Sequence, residues 1–217
     1  MTSTDPTQSA AAKEVVLVSS LLASRLCHDL VNPIGALNTG LEVLETEDDR
    51  EMREHAMGLV KESAAKTISL LTFCRIAFGA SGEWEGTIDS GEAGQLSQGL
   101  YAHAKAELDW QVAPAALPKP VARVLMNLVL VAERCVPRAG STVTAALDGD
   151  AVTVTAAGPK AKLSPELSAA LSGDRESLDA KASPAYLAAL LARVTGGEVS
   201  AEAGEDRVVF RARVPQG

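Results

Sequence analysis

The hydrophobic pattern at the start of the chain predicts two amphipathic helices joined by a short turn. From residue 13 to residue 44, leucine and isoleucine recur every three or four residues, which keeps them on one stripe of a helix. That stripe consists of Leu22, Leu26, Leu30, Ile34, Leu37, Leu41 and Leu44. The acidic stretch 45–49 makes a turn, and a second helical pattern runs from Met52 to Phe78. Such a hairpin buries one face of each helix, so we expect a homodimer that completes a four-helix bundle.

The pattern changes after the glycines at 79, 82 and 86, which mark a domain boundary. The predicted units are a flexible tail (1–12), the helical hairpin (13–80), a linker (81–86) and a mixed α/β domain (87–217). The helices predicted in the second domain are Ser90–Leu108, Pro118–Cys135 and Ser183–Val194. The predicted strands are Trp110–Val112, Thr142–Leu147, Ala151–Thr155, Glu198–Ala201 and Arg207–Val214.

Composition and charge narrow the possible functions. The 217 residues are 47% hydrophobic but only 3% aromatic, which favours closely packed helices. The net charge of -8 argues against a nucleic-acid surface, which needs clustered basic residues. Three cysteines without CxxC spacing predict a reducing compartment and no metal site. The sequence has no signal peptide and no apolar run of about 20 residues, so we expect a cytoplasmic protein.

The most informative local feature is His28, within the segment 27–33 (Cys-His-Asp-Leu-Val-Asn-Pro). On a helical wheel, His28 lies opposite the leucine stripe and is therefore accessible to a large partner. Pro33 removes a backbone N–H in mid-helix. A surface histidine without a function is the plain alternative, but the combination of histidine, acid, asparagine and proline in mid-helix argues against it.

This segment resembles the phosphoacceptor box His-Glu/Asp-x-x-Asn-Pro on the first helix of histidine-kinase phosphotransfer hairpins. The matching residues are His28, Asp29, Asn32 and Pro33. The resemblance implies that His28 accepts a phosphoryl group on a ring nitrogen, since neutral imidazole is nucleophilic near pH 7. It also implies that Asp29 hydrogen-bonds and orients the imidazole, with Asn32 as a further box residue.

A docking surface for a partner protein is predicted beside the histidine. Phe73 and Ile76 point away from the stripe of the second helix, and we expect them to form this surface together with Arg25 and Val31. The alternative is that Phe73 and Ile76 face the second domain. Arg25 neutralises phosphate charge or, equally, pairs with Asp29.

The second domain is similar to the ATP-binding (Bergerat-like) α/β sandwich of histidine kinases, gyrase and Hsp90, with its ligand contacts replaced. Asn127 keeps the frame of the first box, but the Mg²⁺-binding asparagine has become Val131, which cannot ligate a hard cation. Ala156 stands where the adenine-binding aspartate should be. Ala182 and Pro184 replace phosphate-cradling glycines, and a proline has no N–H to donate. A generic α/β domain unrelated to kinases is the alternative.

A phosphoacceptor hairpin followed by a degenerate ATP-binding domain resembles the alphaproteobacterial histidine phosphotransferases. The resemblance extends to the segments 25–29, 77–81 and 108–111. It implies a phosphotransferase that takes a phosphoryl group from the receiver domain of a hybrid kinase and passes it to response regulators of the cell cycle, similar to CtrA and CpdR. It implies no bound cofactor, with Mg²⁺ supplied by the receiver domain.

Three other functions stay open at this point. The chain could be an active ATP-dependent histidine kinase, or a dimeric scaffold that binds response regulators without catalysis. An anti-sigma-type regulator would explain the second domain but not the segment around His28. Lys160 and Lys162, where a nucleotide lid would begin, are either ordinary solvated charges or contacts for the acidic face of a docked receiver.

Overall fold

Two long helices, α1 (Pro6–Thr46) and α2 (Arg50–Ala77), form the predicted hairpin. The computed structural model describes residues 6–79 and 84–215. Asp49 caps α2 by accepting a hydrogen bond from the backbone N–H of Met52 at 2.9 Å. The helices pack closely at Gly40, where an added Cβ would lie 2.7 Å from a methyl group of Val60. The glycine is therefore required for this approach.

The helix starts earlier than the sequence predicted. Because α1 begins at Pro6, the flexible tail expected over 1–12 is wrong from residue 6 onward, and residues 1–5 lie outside the described part. The residues taken as a loose tail include three alanines at 10–12, and alanine has the highest helix propensity. Half of the predicted linker 81–86 (residues 81–83) also lies outside the described residues, which resume at Trp84.

The second domain packs its helices on one five-stranded sheet. The strands of this domain are β1 (Thr87–Asp89), β2 (Glu107–Trp110), β3 (Ala116–Pro118), β4 (Thr142–Asp148), β5 (Ala151–Ala157), β6 (Glu198–Gly204) and β7 (Arg207–Arg213), of which β1 and β3 pair with each other outside the five-stranded sheet. The remaining helices are α3 (Ser90–Tyr101), α4 (Lys119–Cys135), α5 (Pro165–Ser172) and α6 (Ser183–Val194). The sheet order is β2-β4-β5-β7-β6; β2 and β4 are parallel and the other pairs antiparallel.

Most predicted elements of this domain are confirmed, α6 with identical bounds. The helix predicted over Ser90–Leu108 is too long, because it ends at Tyr101 and β2 begins at Glu107. The strand predicted at Trp110–Val112 is found at Glu107–Trp110 instead, because the preceding helix ends earlier than predicted. The alternation of Val152, Val154 and Ala156, all buried, directs one face of β5 into the core.

The hairpin and the second domain share one hydrophobic core. α2 contacts α3 and α4, while α1 contacts α6. The hydroxyl of Tyr186 on α6 donates to the carboxylate of Glu14 on α1, and an Arg175 nitrogen lies 3.7 Å from the same carboxylate. At the other end, the side-chain amide of Asn127 donates to the Ala77 carbonyl at 2.7 Å. The two parts are therefore joined by polar contacts as well as by apolar packing.

The predicted exposure of Phe73 is wrong. Phe73 is completely buried in the shared core, and Ile76 is half-buried against it. α2 carries two apolar stripes. The helical wheel used for the prediction was centred on the stripe that faces α1, so it gave no packing partner for the second stripe. That second stripe packs on α3 and α4, so the alternative that Phe73 and Ile76 face the second domain is confirmed.

Replacing Phe73 tests its place in the core. We expect Phe73→Ala to lower the free energy of unfolding by about 3–5 kcal/mol, because a buried ring leaves a cavity. Val194→Ala is the control, since Val194 is 62% exposed at the end of α6 and its truncation should cost less than about 0.5 kcal/mol. Urea unfolding at one protein concentration measures both. Equal, small losses would contradict the buried position of Phe73.

Candidate functional site

His28 projects from α1 into solvent, as the sequence predicted. Its side chain is 67% exposed, and its Nδ1 lies 3.1 Å from Oδ1 of Asp29. A carboxylate only accepts hydrogen bonds, so Nδ1 carries the hydrogen in this pair. The lone pair then resides on Nε2, and the neutral ring presents Nε2 as its nucleophilic atom. α1 continues through Pro33, which is buried, so the box lies on a continuous helix.

Arg25 is not an exposed docking residue, which corrects the prediction. Its side chain is only 8% exposed, because α6 packs over this part of α1. Its Nε donates to Oδ2 of Asp29, one helical turn away, and Nη1 donates to the carbonyl of Lys181 at 3.2 Å. The alternative prediction, that Arg25 pairs with Asp29, is confirmed. Val31 remains 66% exposed.

A cleft of about 280 Å³ lies beside His28, between the hairpin and the second domain. His28, Asp29 and Asn32 line it from α1, and Lys66 lines it from α2. The second domain adds His103, in the turn after α3, and Glu133 from α4. Nothing in the sequence predicts Lys66, His103 and Glu133 as site residues, since they come from three separate segments and no motif connects them.

Two groups near the cleft have shifted protonation equilibria. Burial raises the pKa of Glu133 above its usual range, although Arg134 and Arg25 partly oppose the shift. Burial, with a smaller contribution from Asp29, raises the pKa of Cys74 to about 12. The Cys74 thiol is therefore protonated at neutral pH and unsuited to act as a nucleophile beside His28.

The four positions predicted to have lost nucleotide contacts are all buried. Val131 and Ala156 are 1% and 0% exposed, and Ala182 and Pro184 lie in the core at the start of α6. α4 and α6 pack directly against each other, so apolar side chains fill this region. Among the described residues, no group of three His, Cys, Asp or Glu side chains is placed to hold a metal ion.

Gly158 has a structural explanation, while the two neighbouring lysines contribute only backbone hydrogen bonds to the fold. An added Cβ at Gly158 would lie 2.8 Å from the Ser141 backbone, so the glycine is required by packing alone. The backbone N–H of Lys160 donates to Asp206 at 2.7 Å, and that of Lys162 to the Cys135 carbonyl at 3.0 Å. The side chains of both lysines are exposed.

An exposed histidine on a helical hairpin, oriented by an acid and followed by an α/β domain, is the arrangement of a histidine phosphotransferase. The family model for the histidine phosphotransferase C-terminal domain matches residues 90–207. Protein phosphotransferase ChpT of Brucella abortus (strain 2308) is 34% identical over 200 residues, which cover 90% of this chain and 94% of that protein. This chain belongs to the ChpT family of histidine phosphotransferases, and the expected family, fold class and phosphotransferase activity are confirmed.

The comparison with solved structures gives the same result. A bacterial phosphotransferase determined at 1.7 Å matches with a TM-score of 0.80 and 34% identity, covering 91% of this chain and 96% of that one. The histidine kinase domain of the Erythrobacter litoralis EL346 blue-light activated kinase is 13% identical, with a TM-score of 0.46 and coverages of 84% and 95%. That likeness is too distant to carry an argument. No helix among the described residues is both long and apolar enough to span a membrane.

The raised pKa of Glu133 predicts a pH-dependent stability. The folded chain takes up this proton at a higher pH than the unfolded chain, so stability from this group falls as pH rises through the window between the two pKa values. Glu133→Gln removes the charged form. We expect the variant to unfold at a higher temperature than wild type at pH 7.5, with the difference shrinking toward pH 4.

Thermal unfolding followed by circular dichroism at both pH values measures this difference. Glu62→Gln, an exposed position on α2, is the control and should leave the difference from wild type independent of pH. A Glu133→Gln variant that is less stable than wild type at pH 7.5 would contradict a half-buried carboxylate that destabilises the fold.

Proposed function

We propose that this protein relays a phosphoryl group between receiver-domain aspartates through a phosphohistidine at His28, without binding ATP. The observation that carries the proposal is the exposed His28 ring, whose Nδ1 faces Asp29 and whose Nε2 is left as the nucleophile. The donor is the receiver domain of a hybrid kinase, and the acceptors are response regulators similar to CtrA and CpdR in the cell cycle. The free cysteines Cys27, Cys74 and Cys135 are consistent with a place in the cytoplasm.

The transfer step needs little from this chain beyond position and charge. Nε2 of His28 attacks the phosphorus of the aspartyl phosphate as the bond to the aspartate oxygen breaks, and the donor aspartate leaves as a carboxylate. The ring retains its Nδ1 hydrogen and becomes positively charged, which the Asp29 carboxylate stabilises. The reverse step delivers the phosphoryl group to a second receiver. The receiver supplies Mg²⁺, which neutralises phosphoryl charge.

We expect Lys66 and His103 to meet the transferred phosphoryl oxygens. Both line the cleft beside His28, whereas the Arg25 guanidinium is occupied by Asp29 and the Lys181 carbonyl. An ammonium group stabilises phosphoryl charge without any proton transfer. In this proposal Lys66, and not Arg25, neutralises the phosphate charge.

The hairpin also supports dimerisation and receiver docking. Large apolar residues remain exposed along both helices: Ile34, Leu41, Met52, Met57, Leu59, Ile68 and Leu71. A run of such residues on one hairpin is typical of a four-helix bundle that a second copy completes. Among the four predicted docking residues, Val31, three residues after His28, keeps a largely exposed side chain (66%).

The absence of ATP binding is supported by the degenerate second domain. The positions that would bind Mg²⁺, adenine and phosphate are occupied by the buried, apolar Val131, Ala156, Ala182 and Pro184. None of these side chains offers an oxygen ligand or an N–H donor.

Phosphotransfer from a labelled receiver tests the proposed relay. We expect wild type to become labelled and His28→Gln to stay unlabelled, because the amide lacks a nucleophilic nitrogen. His55→Gln, on the exposed side of α2, is the matched control and should be labelled like wild type. If wild type and His28→Gln both bind the receiver and neither is labelled, the protein is a scaffold.

Titration with Mg-ATP separates the relay from an autonomous kinase. We expect no calorimetric signal at millimolar nucleotide and no labelling from γ-labelled ATP, because the binding positions are apolar and buried. Binding at micromolar concentration, with autophosphorylation of His28, would identify an active histidine kinase instead.

A further inference from the structure

The Asp29 carboxylate is shared between two groups, one on each of its oxygens. Oδ1 faces Nδ1 of His28 at 3.1 Å, while Oδ2 accepts from Nε of Arg25. A carboxylate held on one oxygen cannot rotate freely, so the contact with Arg25 fixes where the other oxygen points. The orientation of the imidazole therefore depends on Arg25 as well as on Asp29.

Arg25 is itself anchored in the second domain. Its Nη1 donates to the Lys181 carbonyl, two residues before α6 begins, and its side chain is 8% exposed. The planar guanidinium has donors on several edges, which lets it satisfy the carboxylate and the carbonyl together. The turn that presents Lys181 is fixed by Asp179, whose Oδ1 accepts from the backbone N–H of Ala182 at 2.7 Å.

We infer that Arg25 is a positioning residue, through which the second domain selects the reactive tautomer of His28. The turn at 179–182 occupies the part of the domain where a nucleotide site would hold phosphate, and it instead presents a carbonyl to Arg25. The second domain thus contributes to phosphotransfer although it binds no nucleotide. The effect on the rate of phosphotransfer rests on the proposed function. The effect on the tautomer of His28 does not, because the imidazole has a preferred tautomer whether or not a phosphoryl group is transferred.

Four variants of the full-length protein test this chain of contacts. Arg25→Met removes both contacts of the guanidinium, and Arg25→Lys keeps the charge but not the planar fork. Asp179→Ala loosens the turn without touching His28 or Asp29. Arg50→Met is the matched control, because Arg50 also pairs with an acid four residues later, Glu54, but is 93% exposed at the far end of the hairpin.

The first measurement is the ¹⁵N spectrum of the imidazole nitrogens at neutral pH, with His28 assigned by comparison with His28→Gln. We expect the Nδ1–H tautomer to dominate in wild type and Arg50→Met. In Arg25→Met we expect a shift toward the Nε2–H tautomer, with a smaller shift in the same direction in Asp179→Ala. A residue that only stabilised the fold would lower the melting temperature and leave the tautomer ratio unchanged.

The second measurement is the single-turnover rate of labelling by a phosphorylated receiver. We expect Arg25→Met to be slower than wild type by about 10- to 100-fold, because the nucleophile is no longer held in position. Arg25→Lys should recover part of that loss, and Arg50→Met should react at the wild-type rate.

The outcomes separate this inference from the proposed function. An unchanged tautomer ratio and rate in Arg25→Met would overturn the role of Arg25 while leaving the relay intact. Failure of wild type to be labelled would overturn the relay, whatever the spectra show. If Arg25→Met does not fold, Asp179→Ala decides by the same spectra, and an unchanged ratio in it would overturn the link to the second domain.

Discussion

The carboxyl end of α2 is held by side chains of α4, and the position of the second domain depends on this junction. A helix ends with carbonyl groups that have no partner within the helix, and its carboxyl end attracts positive charge. Here Asn127 donates to the Ala77 carbonyl at 2.7 Å and Arg123 to the Phe78 carbonyl at 3.1 Å. Because α4 is largely buried within its domain, capping α2 also fixes the domain against the hairpin. The burial of Phe73 and the cleft beside His28 both follow from that placement.

The same junction gives a structural role to residues that resemble part of an ATP-binding frame. Asn127 is fully buried, and its amide also donates to the Arg123 carbonyl at 2.8 Å. Gly79 has a φ of +72°, and an added Cβ would lie 2.4 Å from the Arg123 guanidinium. These residues have structural roles that do not involve a nucleotide.

The sequence predicted those site residues that lie close together along one helix, and it did not predict those that come together only in the folded chain. His28 and its leucine stripe lie on one helix, so the spacing of that stripe alone predicted that His28 lies in solvent. The pairing of Arg25 with Asp29 is also an i, i+4 relation and was open as an alternative. Lys66, His103 and Glu133 reach the cleft only through packing between distant segments, which no local spacing encodes. Phe73 was misplaced for the same reason, since a helical wheel does not show a second partner for a helix.

The contacts of Glu14 with Tyr186 and Arg175 have a kinetic consequence for the relay. They hold α6 against the first part of α1, while Asn127 and Arg123 hold α4 against the end of α2. With the second domain attached at both places, no domain has to swing aside before a receiver reaches His28. In the proposed relay, exchange of one receiver for another, rather than an internal motion of this protein, would then set how fast phosphoryl groups pass through it. Such an exchange responds to receiver concentration and ionic strength, so the rate of phosphoryl transfer through the proposed relay would depend on its partners.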